Sequence, residues 1–301
     1  SNSRRLMQTK EFQELTEQAA RHPTDSSKYR FFSSKTAQAI WKHKAVTWIG
    51  LGLREELAFV TTVLSNPEIY KWASPIAHMI PRAPDFEIWQ DACLQGAGGF
   101  SLSLRFWWAL EWDNAIYKRT LRFLPQRDQY LLSINLLEYA ALIIGLAAAI
   151  LAWEEMPPAD QPNHPIALLW TDNTSAASWT KKVAGLKGPQ GKALARLFAH
   201  LLMFSDMGIN AKHIAGDQNH IADFLSRIRE TDDFSRFSHA SLSQRFPQLH
   251  NFRRFHPSPE LLSLVYSALL SGSRSIPTTR IMLGQLKAAK TTTPSSAAPL
   301  K

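Results

Sequence analysis

Apolar positions change their period along the chain, and each change marks a predicted element. Before residue 84 the spacing is helical. "MQTKEFQELTEQAARH" and "LREELAFVTTVLSNPEIYKWA" keep apolar residues on one side, with Leu53, Leu57, Val60 and Leu64 aligned. "HPTDSS" and "PIAHMIPRAP" interrupt that pattern. From residue 84 the period falls to two. "DFEIWQDA" predicts a short strand that brings Asp91 to its end. "GAGGFSLSLRFWW" alternates Phe100, Leu102, Leu104 and Phe106 as one half-buried strand, entered through Gly96, Gly98 and Gly99. "YKRTLRFL" predicts a third strand.

The run "LLEYAALIIGLAAAILAW", residues 136–153, is apolar on all sides, as a fully buried core helix is. Its length is near the lower limit for crossing a bilayer, roughly 17 residues. Glu138 in its first turn, its many alanines and the "EEMPP" stop favour the core, so no membrane is expected. "HPIALLWTD" is a continuous apolar run ending in Asp172, which predicts a central strand covered on both faces. "TSAASWTKK" and "PQGKALARLFAHLLMFSDMG" predict helices, the second stopped by Gly208. "INAKHI" predicts a last strand, and a helix follows from about His220.

The order is three strands, then alternating helices and strands. It predicts an α/β fold over residues 84–230: a mixed five-stranded sheet, three strands antiparallel and then parallel βα units, flanked by helices. Residues 1–83 read as a helical connecting segment. Residues 231–301 read as a linker with a short helix near 258–270 and a disordered basic tail, which carries no Asp or Glu after Glu260.

Charge narrows the partners. The formal net charge is +9 over 301 residues, which favours a polyanion such as nucleic acid. The single cysteine, Cys93, excludes an internal disulfide and points to a reducing, intracellular compartment. No Cys/His cluster has zinc spacing. The start "SNSRRLMQ" has neither an initiating Met nor an apolar leader, and reads as a piece of something longer.

Four acids fall at the ends of predicted elements. Asp91 and Asp172 end two strands, while Glu138 and Asp223 lie in the first turns of two helices. Neighbouring strands would bring them to one rim. Four carboxylates there repel one another and raise their pKa values, and divalent cations with a preference for oxygen ligands offset this. Two such ions about 4 Å apart serve phosphodiester hydrolysis. Each acid also has a local explanation. Glu138 fits a capping box with Asn135, Asp172 and Asp91 fit turns or caps, and Asp223 fits the helix dipole.

Against that background, "DACLQGAGGF", "INLLEYAAL", "WTDNTSAASW" and "GDQNHIADFLSR" resemble the ribonuclease H domain of retrotransposon reverse-transcriptase polyproteins. The last is similar to the family's G-x-x-N-x-x-A-D-x-L-S-R ending. The insertion "FWWALEWDNAIYKR" looks most like DIRS-type elements. The resemblance covers about half the chain. It implies a ribonuclease H-like fold and Asp91, Glu138, Asp172 and Asp223 as metal-binding catalytic acids for Mg²⁺ or Mn²⁺. It further implies cleavage of the RNA strand of RNA/DNA hybrids, beside the polymerase domain of the same polyprotein, in the cytoplasm or nucleus. Asn173 and Asn219 stand where small polar residues contact the hybrid or brace the site. Lys181 and Lys182, with Lys187 and Lys192, form a basic stretch suited to the hybrid's backbone or to a solvated helix face. Trp107, Trp108 and Trp112 suit either stacking on nucleic acid or a core.

The chain departs from the pattern in the loop after the last strand and in the long stretch between Asp91 and Glu138. Cellular members carry a histidine in the loop after the last strand's glycine, whereas here Gly216 precedes Asp217; His213 and His220 read as structural. The alternative is a catalytically inactive ribonuclease H-like module that binds nucleic acid or braces a polymerase. An exonuclease built on Asp85 and Glu87 leaves Asp91 unexplained, and an integrase-type triad would end in Glu.

Overall fold

The computed structural model describes residues 6–8, 46–48, 51–71, 75–125, 129–181, 186, 188–228, 239–273, 277 and 279–288. Its centre is a mixed sheet. The strands are β1 (Phe86–Ala92), β2 (Gly96–Ser101), β3 (Phe106–Glu111), β4 (Ile166–Thr171), β5 (Gly208–His213), β6 (Arg253–Pro257) and β7 (Gly284–Lys287). Among the described residues they lie in the order β7-β6-β3-β2-β1-β4-β5. β1, β2 and β3 form an antiparallel meander. β4 runs parallel to β1, and β5 parallel to β4. The helices are α1 (Leu51–Ser65), α2 (Asn114–Leu121), α3 (Ile134–Glu154), α4 (Thr174–Lys181), α5 (Pro189–Phe204), α6 (His220–Ser226), α7 (His239–Arg245) and α8 (Pro259–Ser271).

Alternation along β3 sorts the two faces of the sheet. Phe106, Trp108 and Leu110 point into the core shared with α3 and α5. Trp107 and Ala109 point the other way, against Ile221 and Leu225 of α6 and Leu242 of α7. All three tryptophans of the predicted cluster are therefore core: Trp107, Trp108 and Trp112 are at most 3% exposed. Helix α3 is buried without interruption from Leu137 to Ile150. It is long and apolar enough for a membrane span by length and composition, yet here it is the inner wall of a sheet and helix core. Each large apolar side chain buried this way contributes about 1.5–3 kcal/mol, far above differences in helix propensity.

Several expectations need correction. The predicted strand over 96–108 is two strands. A tight turn at residues 102–105 divides it, with Arg105 at φ 52°. Ser101 holds that turn, its hydroxyl accepting from Leu104 N–H and donating to Glu87 C=O. The alternating pattern hid the turn because Leu102 points into solvent and Leu104 inward. The expected third strand over 117–124 is instead helix α2, capped by the Asp113 carboxylate, followed by a short pair of Phe123–Leu124 with Gln129–Tyr130. Helix α5 ends at Phe204, and Gly208, expected as its stop, opens β5.

Among the described residues the sheet has seven strands rather than five. The segment expected to be a linker beyond 230 supplies β6, α8 and β7. β6 pairs parallel with β3, and β7 antiparallel with β6. "RRFHP" gave no strand signal because only Phe255 of its five residues is fully buried. The short helix appears as expected, capped by Ser258. The expected tail after 288 lies outside the described residues. Of the helical segment before residue 84, α1 is present, Leu6–Gln8 pairs as a strand with Val46–Trp48, and most of the first predicted helix lies outside the described residues.

The glycines of β2 have a use other than a hairpin entry. A Cβ on Gly98 would stand 2.5 Å from the backbone and Cβ of Leu225, and one on Gly96 would stand 2.8 Å from Ser226 C=O. Only a strand without side chains here lets α6 lie directly on the sheet. Gly98→Ala is expected to destabilise the fold by about 1–3 kcal/mol, because backbone must move to admit the methyl. Urea denaturation of parent and variant measures the difference.

Candidate metal centre

The parallel pairing of β1 with β4 decides where two acids go. Asp91 lies one residue before the end of β1, and Asp172 directly follows β4, so both reach the same rim. Glu138 reaches that rim from α3. It sits in the second turn, not the first, because the helix starts at Ile134 with Ser133 as its N-cap. That start removes the capping-box explanation: Asn135 is inside the helix, and its Oδ1 accepts from Asn173 Nδ2 at 2.8 Å. The Glu138 carboxylate accepts from Ala92 N–H at the end of β1 and from Thr171 Oγ1, at 3.4 Å, at the end of β4. One side chain thus spans the two strand ends.

Ligand oxygens of Asp91, Glu138 and Asp172 all lie within 4.8 Å of one another. Asp91 and Glu138 are each 4% exposed, and Asp172 is partly open. Burial, opposed by the Ser226 hydroxyl and reinforced by Asp172 and Asp223, pushes the Asp91 carboxyl up to about 6. Burial, with the charges of Asp91 and Asp172, pushes Glu138 up to about 9. Asp172 is also raised, by burial and then by Asp223, while His213 and Arg227 act against the rise. A buried group of acids that resist ionisation together, offering oxygen alone, fits a divalent cation: these three residues could hold a metal ion.

Asp223 is placed differently. It stands in the first turn of α6, close enough to Asp91 and Asp172 to raise both, but it is not part of the three-acid group. Its Oδ1 accepts from Arg227 Nε at 2.8 Å and Nη2 at 2.5 Å.

Two asparagines tie the elements of the site together. Asn173 caps α4, its Oδ1 accepting from Ala176 N–H at 2.9 Å, so the cap belongs to Asn173 and not to Asp172. Asn219, 1% exposed, donates from Nδ2 to Gln90 C=O at 3.1 Å and anchors the start of α6 to β1. Lys181 is at the end of α4, in a cleft of about 450 Å³ with Arg82 and Lys212. Ile166, the first residue of β4, lines that cleft, which places it toward the opposite end of the strand from Asp172. Lys182 and Lys187 lie outside the described residues. His213 and His220, expected as structural, are both exposed. His213 ends β5 beside Asp172.

Sequence reasoning missed Ser226 and Arg227, though both stand in the quoted "GDQNHIADFLSR". Ser226 is buried and its hydroxyl meets Asp91 Oδ2 at 2.6 Å. The signal was their spacing: three and four residues after Asp223 they share its side of the helix. No protein-family model, curated protein or solved structure matches the chain.

The raised acids make stability depend on pH without metal. In the unfolded chain Glu138 ionises near its ordinary 4.5, and in the fold only near 9. Between those values the fold holds a proton that the unfolded chain has lost, so the stability of the parent falls as pH rises. Glu138→Gln removes this effect. The melting temperature of the variant is expected to match the parent near pH 4 and to exceed it by a growing margin up to pH 9, by about 3 °C or more. Saturating Mg²⁺ shrinks the margin, since cation binding stabilises only the parent's intact site. Thermal melts with chelator and with Mg²⁺ across that range give the answer.

Proposed function

We propose that the chain is a metal-dependent endoribonuclease that cuts the RNA strand of RNA/DNA hybrids, the ribonuclease H domain of a DIRS-like retrotransposon reverse-transcriptase polyprotein. The observation that carries this reading is the meeting of Asp91, Glu138 and Asp172, far apart in sequence, within one ion's reach at the ends of two adjacent parallel strands. Strands β3, β2 and β1 pair antiparallel and β1, β4 and β5 pair parallel, within a mixed sheet flanked by helices, which supports this reading. The net charge of +9 suits a polyanionic substrate.

Asp91, Glu138 and Asp172 would hold Mg²⁺ or Mn²⁺, with Asp223 nearby. A bound divalent cation supplies an activated water and stabilisation of the leaving oxygen. The protein's own groups do the rest. Ser226 and Ala92 N–H fix Asp91 and Glu138 in place. Asn173 and Asn219 lock the starts of α4 and α6 against the rim. Glu138 must release its proton when a cation binds, so affinity rises with pH. Recognition of the hybrid would rest on helix shape, 2′-hydroxyls and phosphates. The polymerase domain of the same polyprotein is the expected neighbour, in an intracellular replication complex.

One observation favours the rival reading of a non-cleaving module: Asp223 is engaged by Arg227 and stands apart from the three-acid group. A cleavage assay separates the two. With Mg²⁺ and a labelled RNA/DNA hybrid, the parent is expected to cut the RNA strand. Asp172→Asn is expected to lose more than about 100-fold, beyond the loss typical of outer partners of a metal site. Parent activity that survives this change intact removes the assignment of the site. A parent that binds Mg²⁺ and hybrid without cutting supports the rival.

A further inference from the structure

Arg227 sits beside the three-acid group, and the proposed function gives it no task. Its side chain is 65% exposed and that of Asp223 is 43% exposed. Both guanidinium contacts fall on Oδ1 of Asp223, and among the described residues Oδ2 of Asp223 accepts no hydrogen bond. An exposed pair of this kind is weak and readily exchanged. The planar fork of an arginine fits two oxygens of a phosphodiester as well as it fits a carboxylate.

The position is fixed from below. Ser226, the neighbouring residue, is buried against Asp91, and Gly96 and Gly98 let this turn of α6 lie on the sheet. Arg227, just past the end of the helix, is therefore held at the rim with only its long side chain free to swing. A phosphodiester approaching three carboxylates meets repulsion, and Arg227 is a cation placed to meet it.

We propose that Arg227 is a substrate-binding residue: it exchanges Asp223 for the phosphodiester being cut and so releases Asp223 toward the three-acid group. The inference rests on the nuclease reading. In the free protein Asp223 is held aside; with nucleic acid seated, its carboxylate is available to complete the site. The fourth acid is then recruited by substrate rather than standing in place beforehand.

The test compares the parent with Arg227→Ala, Arg227→Lys and Asp223→Asn in two binding measurements. The first is fluorescence anisotropy of a labelled RNA/DNA hybrid in Ca²⁺, an oxygen-seeking cation of looser geometry than Mg²⁺, over a series of KCl concentrations. The second is Mn²⁺ titration by calorimetry without nucleic acid. Arg227→Ala is expected to weaken hybrid binding about tenfold and to reduce the slope of log K against log salt by about one. The same variant binds Mn²⁺ more tightly, because a cation has left the neighbourhood of the acids. Arg227→Lys retains the salt slope and loses part of the affinity. Asp223→Asn, measured with chelator in place of Ca²⁺ so that its lost carboxylate removes no metal ligand, binds hybrid at least as tightly as the parent, since Arg227 is then free. If Arg227→Ala binds hybrid like the parent, or if Arg227→Ala and Asp223→Asn weaken it alike, the pair is structural and the inference falls while the nuclease reading stands. If the parent binds no hybrid, both fall.

Discussion

Three carboxylates held within 4.8 Å, two of them buried, create a repulsion that the rest of the rim must contain. The surrounding groups are arranged to do so. Ala92 N–H and Thr171 reach Glu138, Ser226 reaches Asp91, and Arg227 and His213 act on Asp172 from the open side. None of these cancels the burial, and the acids remain difficult to ionise. A protein gains no stability from such a group as it stands. Such a group could hold a cation, and the packing of α3 on one face of the sheet and α6 on the other holds it together.

The two faces contribute unequally. α3 is buried without interruption from Leu137 to Ile150, so Glu138 is carried on a helix packed on all sides. α6 has seven residues and is held through close backbone approach to β2 and through Asn219 and Ser226. The acid it carries is the one outside the group. That division places two supports of different kind at one rim, a long buried helix on one face and a short hydrogen-bonded helix followed by Arg227 on the other.

How far the sequence was legible depended on what each signal measures. Runs such as "IALLWTD" and the helix of 136–153 are set by burial alone, and both appear in place. Asp91, Glu138 and Asp172 were found because strand and helix ends can be read from the same runs. The turn at 102–105 escaped, since Leu102 and Leu104 kept an alternating pattern through a chain reversal. α2 was taken for a strand because eight residues carry too little helical period to outweigh their mixed composition. β6 and β7 escaped because few of their residues are fully buried, so neither shows an apolar run. The fork between Arg227 and Asp223 depends on side-chain direction, which spacing suggests but does not choose.

The late strands have a consequence for how the chain is made. β6 joins the sheet beside β3, pairing Arg253 with Phe106 and Arg254 with Trp107. Until a ribosome has released the segment around 257, the outer side of β3 is a bare row of backbone donors and acceptors. Contacts between such distant parts form slowly, and an uncovered strand invites pairing with another chain. The same exposure would follow from cutting the protein at 230: Asp91, Glu138 and Asp172 would all be kept, and β3 would lose its shield.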